Sequence, residues 1–481
     1  MARASVVVVG AGVAGLAAAW ELSQGPEAPR VEVIESAERV GGSLATTTFA
    51  GRVIDLGADG FLARRPEATA LVTELGLAER LEAVAESGAS LRLRGALYEI
   101  PTGLALGVPT SRDAVRAVAG LSRRARWAAW RDEHWPRSLT VGEDATIGEI
   151  VRTKLGDEIA YQFVEPMVGG IQAGRIDELS ARSVFPALYD AARRGGSLMR
   201  ALRPAGAVSP GPAAPVAGDG PMFSTLVGGV GSLPVELARR LEERGVVVRT
   251  GVAVTALRRS GAGDYPWEVD TASTTTPADA IVLAVPAPVA GHLLGELDPA
   301  LGALREVTSA GAALVTLSYS RDDVTLPTHG SGVLVPLGTT WRGEGSLLVT
   351  AVTFLDRKWP HLRRDDDVLV RAHVGRSDDH RWTRLSDEEL VARVASELAV
   401  VLARAGAPRA TLVQRWPQGL PQYRRGHGQL VDAARAAATP LAVALCGSAY
   451  DGVGVPASIG SGRRAGRQAL ATLDSPRSAQ R

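Results

Sequence analysis

The 481-residue chain has one cysteine, Cys446, only two lysines, Lys154 and Lys358, and no apolar run long enough to span a bilayer. A single thiol cannot close an internal disulfide, nor can it build an all-cysteine zinc or iron–sulfur site, each of which needs several thiolates. That usage fits a reducing compartment, and the expected location is the cytoplasm. The seven histidines form no HExxH and no i, i+4 pair, so no resident metal is expected. Charge of one sign is missing as well: 53 basic and 52 acidic side chains leave a net charge of +1, with no global field to draw nucleic acid. Redox or group-transfer chemistry in such a chain would need an organic cofactor. Apolar residues at 46% and charged residues at 22% are those of an ordinary globular protein, and the length suggests roughly two to four domains.

Near the start stands "SVVVVGAGVAGLAAAWEL". "MARAS" before the valines has the outline of a secretory leader, but the glycine spacing and Glu21 argue against one. Residues 6–9 predict a buried parallel strand, and Gly10, Gly12 and Gly15 fall in the GxGxxG register of a strand turning tightly into a helix. Gly10 allows the turn, Gly12 lets the main chain approach a pyrophosphate, and Gly15 lets helix and strand pack closely. The helix N-terminus attracts phosphate. A second strand, "VEVIE", ends at Glu35, placed to accept hydrogen bonds from a ribose. Together these predict dinucleotide binding without choosing between nicotinamide and flavin.

The next stretch, "SAERVGGSLATTTFAGRVIDLGADGF", carries Arg39, Gly42, Ser43 and the turn at residues 57–60. It resembles the flavin amine oxidase and protoporphyrinogen oxidase superfamily. Within it, "VGGIQAGRIDELSARSVFP" (168–186), "LPQYRRGH" (420–427) and "CGSAYDGVGV" (446–455) resemble the porphyrinogen oxidases, so the likeness runs nearly end to end. The fold class implied is α/β, or α+β multi-domain: a Rossmann-like FAD-binding domain built from discontinuous segments, a mixed-sheet substrate domain and a helical subdomain. The expected boundaries are 1–88, 221–291 and 428–474 for the FAD-binding domain, 89–103 for a substrate-domain strand and 292–427 for the rest of that domain. Residues 104–203 are expected to be the helical subdomain, 204–220 a flexible linker and 475–481 a frayed tail.

The resemblance implies non-covalent FAD held by Gly10, Ala11, Gly12, Val13, Ala14, Gly15, Glu35, Ser36, Arg39, Gly42, Ser43, Gly57, Ala58, Asp59 and Gly60. Val254, Trp416, Ser448, Val453, Gly454 and Val455 complete the implied cofactor set, although a core tryptophan is an equal reading of Trp416. Gly170, Gly332, Val333 and Leu334 would line the substrate. The implied reaction is oxidation of a porphyrinogen to a porphyrin, with dioxygen as acceptor and hydrogen peroxide as product, in haem biosynthesis. Coproporphyrinogen III is preferred over protoporphyrinogen IX. A flavin amine oxidase or desaturase and a prenyl-GTPase escort of the same fold are the other readings. No histidine, cysteine or carboxylate is nominated as a catalytic base.

Substrate propionates call for guanidinium partners, and the sequence offers Arg92, Arg94, Arg64 and Arg65, each of which could equally be solvated surface. The stretch "SRRARWAAWRDEHWPR" interleaves Trp127, Trp130 and Trp135 with arginines. That pattern suits an interfacial helix at the inner face of a membrane, a solvated helix with buried tryptophans, or a docking face for the next enzyme of haem synthesis.

Overall fold

The computed structural model describes residues 3–203, 221–260, 266–340, 345–402 and 405–474; the linker and tail expected at 204–220 and 475–481 lie outside the described residues. Val6, Val7, Val8 and Val9 are at most 5% exposed. β-Branched side chains buried on both faces suit a central parallel strand covered by helices on either side. Ser5–Val9 occupies the middle of a five-stranded parallel sheet, ordered Val247–Arg249, Arg30–Ile34, Ser5–Val9, Ala280–Leu283, Val443–Leu445. Its strands therefore come from three separated stretches of chain. A three-stranded antiparallel excursion, Val254–Arg259, Trp267–Thr271 and Thr275–Ala278, lies between the third and fourth of these strands in chain order.

On one face of this sheet the helix Val13–Leu22 packs against the long C-terminal helix Val455–Asp474. Small residues set their separation: a Cβ added at Gly462 would stand 1.9 Å from the Ala14 carbonyl oxygen, and one at Gly466 2.8 Å from that of Ala18. The helices Ala287–Leu294 and His427–Ala438 bury their apolar sides on the opposite face.

A second, seven-stranded sheet runs in the order Ala410–Pro421, Ser309–Ser320, Asp367–Val374, Val349–Phe354, Gly332–Leu334, Ser90–Leu93, Ala96–Glu99. All its pairs are antiparallel except Gly332–Leu334 with Ser90–Leu93. Val315, Leu317, Val333, Val352, Val370 and Ala372 alternate onto one face, where the helix Asp387–Val401 covers them. That helix opens with a capping box in which Ser386 and Glu389 satisfy each other's backbone donors.

Helices Arg123–His134, Ile147–Leu155, Glu165–Gln172 and Pro186–Arg194 share a third core. This region departs from a purely helical start at residue 104. Leu104–Ala105 pairs with Val108–Pro109 as a short hairpin, because Leu106 (φ +45°) and Gly107 (φ +84°) take the left-handed conformation that turns the chain.

Candidate active site

The GxGxxG residues adopt the geometry their spacing predicts. Gly10 has φ +102°, and a Cβ there would meet the Ala284 carbonyl oxygen at 2.6 Å; a Cβ on Gly15 would lie 1.9 Å from the Gly10 oxygen. Gly12 differs: nothing lies within 4 Å of its Cβ position, and as N-cap of Val13–Leu22 it brings no side chain to the helix terminus. The first backbone donors of that helix, Val13 and Ala14 among them, thus face a space bounded by glycine, which suits an anion. Across that space stands Gly42, whose Cβ position is 3.5 Å from the Gly12 Cα. Arg39 donates to the Gly42 oxygen at 2.8 Å, fixing the turn that carries Ser43.

Glu35 is tied down at both oxygens, by the Ala11 N–H at 2.7 Å and the Ala37 N–H at 2.8 Å, with the Ser36 hydroxyl at 3.3 Å. Its carbonyl accepts from Val252 N–H at 2.9 Å, which brings the start of the Val254–Arg259 strand beside the carboxylate. The expected 57–60 turn runs alongside Ser43: a Cβ on Gly57 would touch the Ser43 oxygen at 2.2 Å, and Trp416 donates from Nε1 to the Leu56 oxygen at 2.8 Å. Trp416 is partly exposed rather than a core tryptophan.

Beneath this turn lies a charge cluster that sequence reasoning missed. Asp59 pairs with Lys358 at 2.8 Å. Burial works to raise its pKa, yet Lys358 and Arg371 hold the carboxyl at about 2. Arg371 is buried, donates to the Asp55 carbonyl and reaches Thr316 Oγ1 at 3.2 Å. Asp55 accepts from Val230 N–H at 3.1 Å and Gly231 N–H at 2.8 Å, and burial pushes its carboxyl up to about 6 against those bonds. The signal for this cluster was the presence of charged residues at inward positions of apolar strands, which a linear reading cannot tell from edge positions.

Register assigns the side chains of the second sheet that face this turn. Arg371 pairs with Thr316 and Thr353, His373 with Leu314 and Ala351, and Leu334 with Ala351. Partners across a ladder point to one face, so Trp416, Leu314, Arg371, His373, Thr353 and Leu334 share the face turned away from the Asp387–Val401 helix. On this face Trp416, Leu314, His373, Thr353 and Leu334 all keep accessible surface, whereas the opposite face is closed by the Asp387–Val401 helix. His373 bonds Thr353 Oγ1 through Nε2 at 3.1 Å. Burial first, and the Arg371 charge next, push its pKa down to about 4, so the imidazole is neutral near pH 7.

Gly170 and Leu334 come together: a Cβ on Gly170 would lie 3.8 Å from Leu334 Cδ2. Gly332 shares Leu334's side of the strand but is buried against the Val352 carbonyl. Val333 corrects the expectation, because the two-residue period turns its side chain into the opposite core, where it is 0% exposed. The same period removes Arg92: it follows Leu91, the partner of Leu334, and so faces away from Gly170, into a separate cavity of about 450 Å³. Arg94 is exposed and pairs with Glu158, Arg65 is exposed and pairs with Glu67, and Arg64 is exposed. None of the four lies on the Leu334 face.

The three stretches singled out at 168–186, 420–427 and 446–455 meet. Gln422 donates to the Gln172 oxygen at 2.7 Å, and Ser180 N–H to the Tyr423 oxygen at 2.8 Å. The Tyr423 hydroxyl donates to the Ser448 carbonyl and accepts from Gly452 N–H at 2.9 Å. His427 stacks on Tyr423 and donates to the Ala449 oxygen at 2.8 Å. These bonds fix the turn carrying Ser448, Val453, Gly454 and Val455 at the head of the C-terminal helix, with Gly447 and Gly452 at positive φ. The uncapped Gly12 helix, the anchored Glu35 and this glycine-rich turn fit an extended dinucleotide. A covalent link has no candidate thiol: Cys446, just past the Val443–Leu445 strand, is fully buried and its pKa is pushed up to about 12.

The flavin containing amine oxidoreductase family matches residues 13–470. The chain is 36% identical to coproporphyrinogen III oxidase of Mycobacterium leprae, covering 97% of this chain and 98% of that one. It is 32% identical to coproporphyrinogen III oxidase of Bacillus subtilis over the same shares. A crystal structure from Exiguobacterium sp. 255-15, provisionally described as a protoporphyrinogen oxidase, superposes with TM-score 0.83 at 29% identity, covering 99% of this chain and 100% of that chain.

Proposed function

Because the chain belongs to the flavin containing amine oxidoreductase family, with FAD as its cofactor, we propose that it oxidises coproporphyrinogen III to coproporphyrin III. In this proposal FAD is bound non-covalently and dioxygen is the acceptor. The observation that carries the substrate is the 32% and 36% identity, over nearly the full length, to two enzymes named for that reaction, together with the meeting of the three stretches at 168–186, 420–427 and 446–455. The likeness to the Exiguobacterium structure supports protoporphyrinogen IX as the second reading.

Six electrons and six hydrogens leave the substrate, so three dioxygen molecules give three of hydrogen peroxide. Bound FAD supplies the hydride acceptor. The chain's own part is positioning and exclusion of water. Residues 10–15, Glu35, Ser36, Arg39, Gly42 and Ser43 hold the adenosine and pyrophosphate end, with Val254 at the adenine. Residues 57–60, Trp416, Ser448 and residues 453–455 hold the ring end. Gly170 and Leu334 wall the macrocycle, 3.8 Å apart at the Gly170 Cβ position. A porphyrinogen presents four pyrrole N–H donors. The neutral His373 and the hydroxyl of Thr353 provide acceptors on the facing sheet.

We assign residues 1–88, 221–291 and 428–474 to the FAD-binding domain, 89–103 and 292–427 to the substrate domain, and 104–203 to the helical subdomain. No described helix is long and apolar enough to cross a membrane. Peripheral contact through Trp127 and Trp135 is supported by their exposure, 55% and 71%, beside exposed Arg123, Arg124, Arg126 and Arg137. Transient contact with the next enzyme of haem synthesis would use the same face.

Anaerobic titration of the yellow protein with coproporphyrinogen III tests the assignment. Flavin bleaching faster than with protoporphyrinogen IX is expected. No bleaching by either would overturn it, and faster bleaching by protoporphyrinogen IX would favour the second reading.

A further inference from the structure

An open cavity of about 620 Å³ is bordered by Val335, the residue after Leu334, by Arg175, Arg376, Arg381 and Arg384, and by the carboxylates Asp378 and Asp379. Arg376 directly follows Gly375, whose φ of +103° ends the Asp367–Val374 strand and swings the next residue out of the ladder. As a whole residue Arg376 is only 6% exposed, and among the described residues its guanidinium forms one hydrogen bond, to the Val335 oxygen at 3.2 Å. Among the described residues no carboxylate comes within ion-pair distance of it. Three acids act on Arg376 through space while making their ion pairs elsewhere: Glu165 with Arg175 at 2.7 Å, Asp378 with Arg175 at 2.7 Å, and Asp379 with Arg381 at 2.6 Å. A guanidinium has five donors, and those that Arg376 leaves unpaired keep accessible surface where the residue lines the cavity, so a ligand there can complete them. Arg376 also abuts the substrate wall, since its terminal nitrogen lies 3.4 Å from the Cβ position of Gly169.

We propose that Arg376 is the anchor for a propionate carboxylate of the tetrapyrrole, with the cavity beside it as the mouth through which that side chain projects. This rests on the porphyrinogen reading above and names a residue for it. A carboxylate suits the planar fork of a guanidinium, and the macrocycle would lie against Gly170 and Leu334 while its acidic arm turns around the Val335 edge. Arg384, exposed on the rim, adds positive potential without a fixed contact.

The test compares KM and kcat for coproporphyrinogen III and for its tetramethyl ester, which keeps the ring and removes the charges. In the FAD-loaded R376M protein, KM for the acid is expected to rise roughly 10- to 100-fold with kcat nearly unchanged, while KM for the ester stays put. R376K should recover part of the loss. Equal acid-to-ester KM ratios in wild type and R376M would overturn the proposal. Should R376M fail to retain flavin, the exposed R384E variant serves instead: a several-fold rise in KM for the acid alone supports the site, and an unchanged ratio refutes it. Wild-type turnover of coproporphyrinogen III separately decides the porphyrinogen reading, so the two failures are distinguishable.

Discussion

Gly12 and Gly15 are three residues apart in one motif, yet the structure predicts different fates for their alanine variants. At Gly12 the backbone is at φ −66°, ψ 169°, which alanine adopts freely, and the new methyl meets nothing within 4 Å. Replacing glycine stiffens the unfolded chain, a gain of roughly 0.4–1 kcal/mol, while alanine is a poorer N-cap by a similar amount. The apoprotein should therefore keep its stability to within about 1 kcal/mol. The methyl nevertheless stands where the pyrophosphate would approach the helix N-terminus. Losing one charge-assisted hydrogen bond there costs about 1.5–3 kcal/mol, or roughly 10- to 150-fold in FAD affinity. At Gly15 the added carbon would lie 1.9 Å from the Gly10 oxygen and 3.0 Å from Ala284 Cβ. Turn and helix must part by roughly 1 Å, and overpacking of this kind costs about 1–3 kcal/mol or more. G15A should lose stability and cofactor together. Urea unfolding of the apoproteins, paired with FAD titration followed by flavin fluorescence, separates the two. If G12A bound FAD within threefold of wild type, the pyrophosphate would not lie at Gly12 and the cradle would be misplaced.

Asp55 gives a pH signature. Its folded pKa is raised to about 6, so the folded state holds a proton that the unfolded chain releases near 4. Stability from this group is greatest below pH 4 and declines by about 3 kcal/mol as pH rises through 6; D55N, measured by urea unfolding across that window, should have a shallower slope than wild type. G462L should destabilise the protein and lower its melting temperature by several degrees, since its side chain would have to displace the Ala14 carbonyl; an unchanged melting temperature would mean the two helices are not held in this contact. R92Q should leave KM for coproporphyrinogen III within twofold of wild type, because Arg92 faces away from Leu334; a tenfold rise in steady-state assays would contradict that orientation. Replacing Trp127 and Trp135 together by serine should abolish sedimentation with vesicles containing phosphatidylglycerol while leaving melting unchanged, as both rings are exposed.

Local signals carried much of the site. The 10–15 turn, Glu35, Arg39 and the 57–60 turn announce themselves by glycine spacing and strand pattern, and each occupies a place consistent with the other. The arginines did not. Arg92 and Arg94 were candidates because propionates call for guanidinium partners, yet one turns to the far face and the other to solvent. Arg376 gave no such sign, since one more arginine after a glycine in a chain rich in both is invisible until the strand is seen to end there. Tyr423 and His427 were read as part of a family stretch; that they brace the Ser448 turn became evident only once both segments were placed.

The sequence alone determined the elements whose cause is local: a glycine-lined strand-to-helix turn and buried valine strands, and with them the class of cofactor. Only the tertiary structure decided which face of each strand of the second sheet looks inward, because a period of two leaves either face open until partners and register are set. It likewise decided which buried charges pair, since partners such as Lys358 with Asp59 and Arg52 with Asp367 stand 299 and 315 residues apart in the chain.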